Sequence, residues 1–441
     1  MSDEPGRQGL VTFGTVWFGQ LISLIGSVLS EFALGVYVYQ QTGSATQFAI
    51  LNLFIFAPQI VVAPFAGTIA DRYNRRLVMI LANLGAGLAA ALLAVLIASH
   101  ALRPLLVYGV VVLFSVCSAL LFPAYAASIP MLVAKRHLGR ANGMVQLAMS
   151  VSRVVAPLSA AFLLATIHLQ GIVLADFASY LFAIGSLLLV RIPQPSPTGV
   201  SRGWGGIVRD ATSGLTYIAA RRGLLGLLLF FTLLNITASF FQALYTPLVL
   251  SFTSTVQLGV VTSIGGVALV ASSLAMSVWG GPRRHIHGVL GVGIVCGLAI
   301  VLMGVRASVV TIGVATFLFL GAVTVINVSN SAIWQGRVPA EMLGRVLSTV
   351  RMLAWSTVPL ALIAAGPLAD HVFRLLLLPG GPLADSVGQV FGTGPGRGIG
   401  LLLAVMGLFP IVAGIAGYLS SAVRNVEDEE SAPAPGSVRT A

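Results

Sequence analysis

The chain has 441 residues, of which 57% are hydrophobic and only 8% charged, with 49 glycines and a net charge of +11. A soluble domain carries about 25% charged residues, and no soluble fold of this size hides so much apolar surface. Composition therefore excludes a water-soluble protein. The basic residues are spread over short loops rather than gathered on one face, which also excludes nucleic acid as a partner.

What remains is an all-α polytopic membrane protein. Twelve apolar runs are long enough to cross a hydrocarbon layer of about 30 Å at about 1.5 Å per helical residue. Leu10–Tyr39 comes first and is too long for the core of a secretion signal, so it is read as a span. Thr46–Ala70, Leu77–Ala98, Leu105–Ser128, Asn142–Ile167 and Gly171–Val190 complete the first six. A polar linker follows over 191–222, headed by Pro193, Pro195 and Pro197, and its 208–220 part suits a short amphipathic surface helix. The second six are Leu224–Leu250, Val256–Gly280, Gly288–Val305, Val309–Trp334, Arg345–Leu368 and Ile399–Ala422. The tail, 424–441, with Glu427-Asp-Glu-Glu430 and two prolines, is expected to lack fixed structure.

Eighteen of the 24 basic residues fall on one side of this alternation, four on the other, and Arg153 and Arg351 lie inside spans. The positive-inside rule then places both termini in the cytoplasm, the chain lying in the inner (cytoplasmic) membrane. The halves echo each other: Leu138-Gly-Arg140 and Leu343-Gly-Arg345 open the fifth and eleventh spans, 205 residues apart. Such repeats suit two pseudo-symmetric six-helix bundles with a cavity between them, residues 1–190 and 223–423 about the linker.

Between the second and third spans lies the polar stretch Gly67-Thr-Ile-Ala-Asp-Arg-Tyr-Asn-Arg-Arg76. Its four charges belong at a membrane face. Gly67 permits close approach or an unusual φ, and Asn74 tolerates the left-handed region. Asp71 is expected near the start of the following helix, where a carboxylate meets free N–H groups.

Polar residues inside the spans form stripes at helical spacing, and in lipid such stripes must face protein or water. Span 1 carries Gln20, Ser23, Ser27 and Glu31; span 4 Ser115, Ser118, Phe122 and Tyr125; span 7 Asn235, Ser239, Gln242 and Thr246; span 10 Thr324, Asn327, Ser331 and Trp334. Trp17, Phe18, Phe240, Phe241 and Tyr245 add apolar bodies suited to a bulky amphipathic guest. The ionisable residues within spans are Glu31, Arg153, Asp176 and Arg351. A carboxyl removed from water can be protonated near neutral pH, so Glu31 and Asp176 are candidates to carry a proton, unless Arg153 holds one of them in a fixed pair. Cys117 and Cys296 fall in separate runs and suggest neither a metal nor a bridge. The histidines are scattered, and His285 and His287 are expected in a solvated loop, so no metal or other cofactor is anticipated. No phosphate-cradling Gly-Lys-Ser/Thr loop exists, which excludes an ATP-driven pump, and no cluster of His or acidic residues points to an enzyme.

The stretch Gly67-x-x-Ala70-Asp71-Arg72-x-x-Arg75-Arg76 resembles the signature loop between helices 2 and 3 of major facilitator superfamily transporters, with Ile69 for Leu, Asn74 for Gly and Arg76 for Lys. Trp17-Phe-Gly-Gln20, Thr42-Gly-Ser-Ala45, Trp334-Gln335, Val338-Pro339 and Leu343-Gly-Arg-Val346 resemble the macrolide-efflux (drug:proton antiporter) members. Two features depart from those antiporters: span 4 lacks the arginine of an RxxxG motif, and Ala156-Pro157 stands for Gly-Pro. The resemblance implies that helices 1, 4, 7 and 10 line a central cavity, with Gln20, Ser27, Phe122, Tyr125, Asn235, Gln242, Tyr245, Asn327 and Trp334 on its wall. It implies a gating role for Gly67, Asp71, Arg72, Arg75 and Arg76, with Arg345 and Arg351 meeting Asp71 when the cytoplasmic side closes. The expected activity is export of macrolide-like amphipathic small molecules by a monomer exchanging protons across the lipid bilayer. The alternative is export of a siderophore or other secreted metabolite.

Overall fold

The computed structural model describes residues 7–134, 137–192 and 215–428. The side chains of Asp71, Arg72 and Arg345 and the burial of Gly67 lie outside what is described, as does most of the expected 208–220 helix. All regular structure among the described residues is helical. In chain order the long helices are α1 (Arg7–Thr42), α2 (Ala45–Arg72), α3 (Arg75–Ala98), α4 (Pro104–Leu132), α5 (Leu138–Thr166), α6 (His168–Leu189), α7 (Arg222–Leu250), α8 (Thr255–Trp279), α9 (His285–Val305), α10 (Val309–Arg337), α11 (Ala340–Pro367) and α12 (Arg397–Leu419). Each contains a stretch long and apolar enough to span a membrane.

Short signals set the boundaries. Ser44 caps α2 by accepting from Gln47 N at 3.3 Å, after Gly43 turns the chain at φ +60°. Asn74 caps α3 by accepting from Leu77 N at 3.2 Å, at φ −58°, without using the left-handed region it tolerates. Pro104 opens α4, where its missing N–H is no loss. Pro367 ends the α-helical ladder of α11, and the chain continues through a π-helical turn, Leu368–Phe373, into Arg374–Leu376. Helical structure therefore continues beyond Gly366 to Leu376. His285 and His287 likewise open α9 instead of lying in a loop.

Packing follows the rule for lipid, where leucine gains nothing by turning inward and small residues let backbones approach. On α3, Leu81, Leu88, Leu92 and Val95 are exposed while Ala82, Ala86, Ala89 and Ala90 are buried. Cys117 and Cys296 are buried free thiols.

Backbone contacts divide the described residues into two compact units. The first holds those up to 192 together with Thr253–Gly266, the opening half of α8. That half lies on α5: Ser263 donates to Val154 O at 2.8 Å, and a Cβ on Gly259 would stand 2.8 Å from Pro157 O. Helix α1 packs mainly on α6 and α5, and α4 on α2 and α3. The second unit holds the described residues of 215–252 and 267–428. Its most extensive pair is α9 with α12. There Gly297 and Gly304 face Gly407 and Gly400, and a Cβ on Gly407 would stand 2.7 Å from Gly297 O. The stretch expected to lack structure is fixed as far as Asp428. Ser421–Arg424 is helical, Val423 and Val426 are buried, Glu427 accepts from Ile286 N at 2.8 Å, and Asp428 pairs with Arg284 at 2.8 Å.

Candidate functional site

The site in the first unit begins with how α1 meets α6. Gly19 sits against Ser186, and a Cβ on Gly26 would stand 2.5 Å from Ser179 Oγ and 2.7 Å from Asp176 Oδ1. These small residues, seven apart on each helix, draw the backbones together and fix the rotation of α1. That rotation turns Gln20, Ser23 and Ser27 into the interior.

A first cavity of about 140 Å³ opens there. Its wall is mostly apolar, from Leu21, Leu24, Leu121 and Met149 with the rings of Phe114 and Phe122. Trp17 closes one side, its indole N–H donated to Met144 O at 2.9 Å. Gln20, Ser27 and Tyr125 supply polar atoms, and both Gln20 Nε2 and Tyr125 OH are buried without a partner among the described residues. Buried donors without partners are costly, and a guest carrying acceptors would relieve them.

A second cavity, of about 120 Å³, shares Ser27, Phe114, Ser118 and Tyr180 with the first. It holds both carboxylates predicted to matter. Glu31 lines this cavity with its side chain accessible, whereas Asp176 is 1% exposed. Asp176 Oδ1 accepts from Ser179 at 3.3 Å, while Oδ2 has no partner among the described residues. Ser30 Oγ faces Asp176 without reaching hydrogen-bond geometry. Tyr180 OH shares a 2.9 Å hydrogen bond with Ser27, and its ring lies near-parallel to Phe114 at 6.2 Å. Among the described residues no salt bridge joins Arg153 to either carboxylate, so the fixed pair that sequence allowed is not formed.

The family model described as Major Facilitator Superfamily matches residues 16–364. The chain belongs to the Major Facilitator Superfamily. It is a multi-pass membrane transporter and not an enzyme. Macrolide efflux protein A of Streptococcus pyogenes is 26% identical over 369 residues, covering 82% of this chain and 90% of that protein. The multidrug efflux pump Tap of Mycobacterium tuberculosis is 25% identical over 389 residues, covering 80% and 86%. Among solved structures, a bacterial homolog of the human lysosomal transporter Spinster superposes with a TM-score of 0.69 at 14% identity, over 97% of this chain and all of that one. The nucleoside transporter NupG superposes with the same score at 12% identity, over 93% of this chain and 100% of that one.

The major facilitator signature stretch takes a different local form from the one expected. Helix α2 runs through Arg72, so Asp71 stands in its last turn and not at the start of α3, and Gly67 is helical. Arg75 donates to Ala127 O at 2.7 Å near the end of α4. Arg76 donates to Leu187 O at 2.7 Å and Leu188 O at 2.9 Å, two of the carbonyls the end of α6 leaves unpaired. Arg351 lies over its own helix neighbour Trp355, 5.1 Å from the ring centroid.

The predicted wall residues of the second unit are less uniform. Asn235 donates to Phe231 O within α7 at 2.8 Å, and Gln242 is half-buried. Tyr245 OH accepts from Thr316 at 3.2 Å, and Asn327 is exposed. Trp334 is 1% exposed with its N–H on Asn330 Oδ1 at 3.0 Å, a packing residue of α10. In the first unit Phe18 also points away from the cavities, exposed against Phe182 with ring centroids 6.0 Å apart. Sequence reasoning missed Tyr180, Phe114, Gln59 and Met149. Asp176 and Tyr180 are one helical turn apart, a signal that was available on α6.

Proposed function

We propose that this transporter exports amphipathic small molecules of the macrolide type by alternating access, exchanging them for protons entering the cell. The observation that carries this reading is the juxtaposition of an apolar, aromatic cavity with one holding two carboxylates, Glu31 and Asp176, across the shared residues Ser27 and Tyr180. An amphipathic guest needs the first kind of wall. A group that gains and loses a proton inside a membrane protein is the second. The efflux names of its relatives support the same direction of transport. The distribution of basic residues supports an orientation with both termini in the cytoplasm.

The test is accumulation of a labelled macrolide in cells with and without the protein, with and without a protonophore. Exclusion that disappears when the proton gradient is collapsed, and that is lost in Glu31→Gln, is the expected result. Exclusion that survives gradient collapse but fails on ATP depletion overturns proton exchange. No exclusion of any amphipathic compound overturns export.

A further inference from the structure

We propose that one face of α11 binds a single anionic phospholipid, its phosphate held by Arg351 and an acyl chain laid along Trp355, Pro359 and Ile363. This stands independently of the export reading above. Arg351 carries a charge that the described residues leave unanswered. Its side chain is exposed, and no hydrogen bond or salt bridge reaches it among the described residues. Only the Trp355 ring meets the guanidinium, at 5.1 Å from its centroid. Arg75 and Arg76, by contrast, end on carbonyls, and Arg284 on Asp428. A ring face answers the charge of a guanidinium but none of its five N–H donors. An oxyanion answers both, and a charge without a partner is costly inside a membrane.

Depth and polarity along the helix identify the occupant. The apolar stretch that holds Arg351, Thr349–Leu376, has 28 residues. At about 1.5 Å per residue this is about 42 Å, which matches hydrocarbon and headgroup layers together rather than hydrocarbon alone. Arg351, near its start, therefore falls at headgroup depth, and Trp355 one turn deeper, at the boundary where indoles collect. Arg351, Trp355, Pro359 and Ile363 recur every four residues and so form one ridge of the helix. Arg351, Trp355 and Ile363 are exposed and Pro359 half-buried, while Ala354, Ala361 and Ala365 are buried on the side turned away. Met352 is exposed beside Trp355 and widens the apolar part. Cation, indole, then aliphatic is the order of a phospholipid read from phosphate to tail. The headgroup must be anionic, because a zwitterionic one brings its own cation to the phosphate.

The test is native mass spectrometry of the full chain in detergent, titrated with phosphatidylglycerol or phosphatidylcholine of identical acyl chains. The first phosphatidylglycerol is expected to bind on the order of fivefold more tightly than phosphatidylcholine, the gain from one basic side chain at a membrane surface. In Arg351→Gln that preference disappears while phosphatidylcholine binding is kept, which also reports that the variant is folded. Arg351→Lys keeps the charge and should retain the preference in part. Arg306 is exposed and lies outside the ridge, so Arg306→Gln is the control and should keep the preference in full. No preference in the unaltered protein, an intact preference in folded Arg351→Gln, or an equal loss in Arg306→Gln overturns the site. Displacement of bound phosphatidylglycerol by equimolar inorganic phosphate overturns the lipid as its occupant in favour of a free anion.

Discussion

Tyr180 of α6 and Ser27 of α1 share a 2.9 Å hydrogen bond at the boundary of the two cavities. It ties the helix carrying Asp176 to the helix carrying Glu31. Tyr180→Phe keeps the ring and removes the bond. Interhelical hydrogen bonds in membrane proteins average about 0.6 kcal/mol. The expected result is a fall in melting temperature of a few degrees in detergent, with a larger fall for Tyr180→Ala, which also deletes the ring. Melting curves of the purified variants decide this.

Close contact of α1 with α6 depends on Gly26, whose added Cβ would meet Ser179 Oγ at 2.5 Å and Asp176 Oδ1 at 2.7 Å. Gly26→Ala is expected to destabilise by about 1–3 kcal/mol through overpacking. Gly14 lies on the same helix with nothing within 4 Å of an added Cβ, so Gly14→Ala is the control and should be neutral or slightly stabilising. Thermal unfolding of the pair separates packing from helix propensity.

Arg76 reaches two carbonyls at the end of α6. Arg76→Ala is expected to cost roughly 1–3 kcal/mol. Arg76→Lys should recover only part of the loss, because a single ammonium cannot reproduce the guanidinium fork. Hydrogen exchange at the end of α6 should rise in the alanine variant and less in the lysine one.

The final described segment packs Val423 and Val426 on Gly226 and Gly223 of α7. Val426→Asp buries a charge there and should unfold the segment, seen as proteolytic clipping after Leu419. Asp428→Ala breaks only the Arg284 pair, both side chains being about half exposed, at 49% and 53%. That change should be worth less than about 1 kcal/mol and should vanish in high salt.

Burial holds the Tyr217 phenol above its usual value, with Arg221 opposing this from 3.7 Å over the ring. Its hydroxyl donates to Arg337 O at 3.2 Å, joining the end of the linker to α10. Because the folded value lies above the unfolded one, near 10, the contribution is complete below that pH and is lost as pH rises past it. Melting temperature followed from pH 8 to 11 should fall more steeply for the unaltered protein than for Tyr217→Phe.

Twelve spans could be read from this chain because an apolar run of twenty residues has one inexpensive fate, a helix across lipid, and that fate needs no partner to be recognised. The same reasoning pointed to Gln20, Ser27 and Tyr125, which line the first cavity, since a polar stripe on a lipid-embedded helix must turn inward. It misjudged Asp71 by one helix end, because only Tyr73 and Asn74 separate the stop of α2 from the start of α3 and either could claim the carboxylate. Only the tertiary structure decided that Asp176 and Tyr180 face α1, that Arg75 and Arg76 close the ends of α4 and α6, and that Trp334 packs inside its unit. Lipid and protein interior are nearly equally apolar to a leucine, so hydropathy does not say which face of a helix meets which neighbour. That choice lies in the close fit of small residues such as Gly19 and Gly26 against Ser186 and Ser179, and such a fit exists only once both helices are in place.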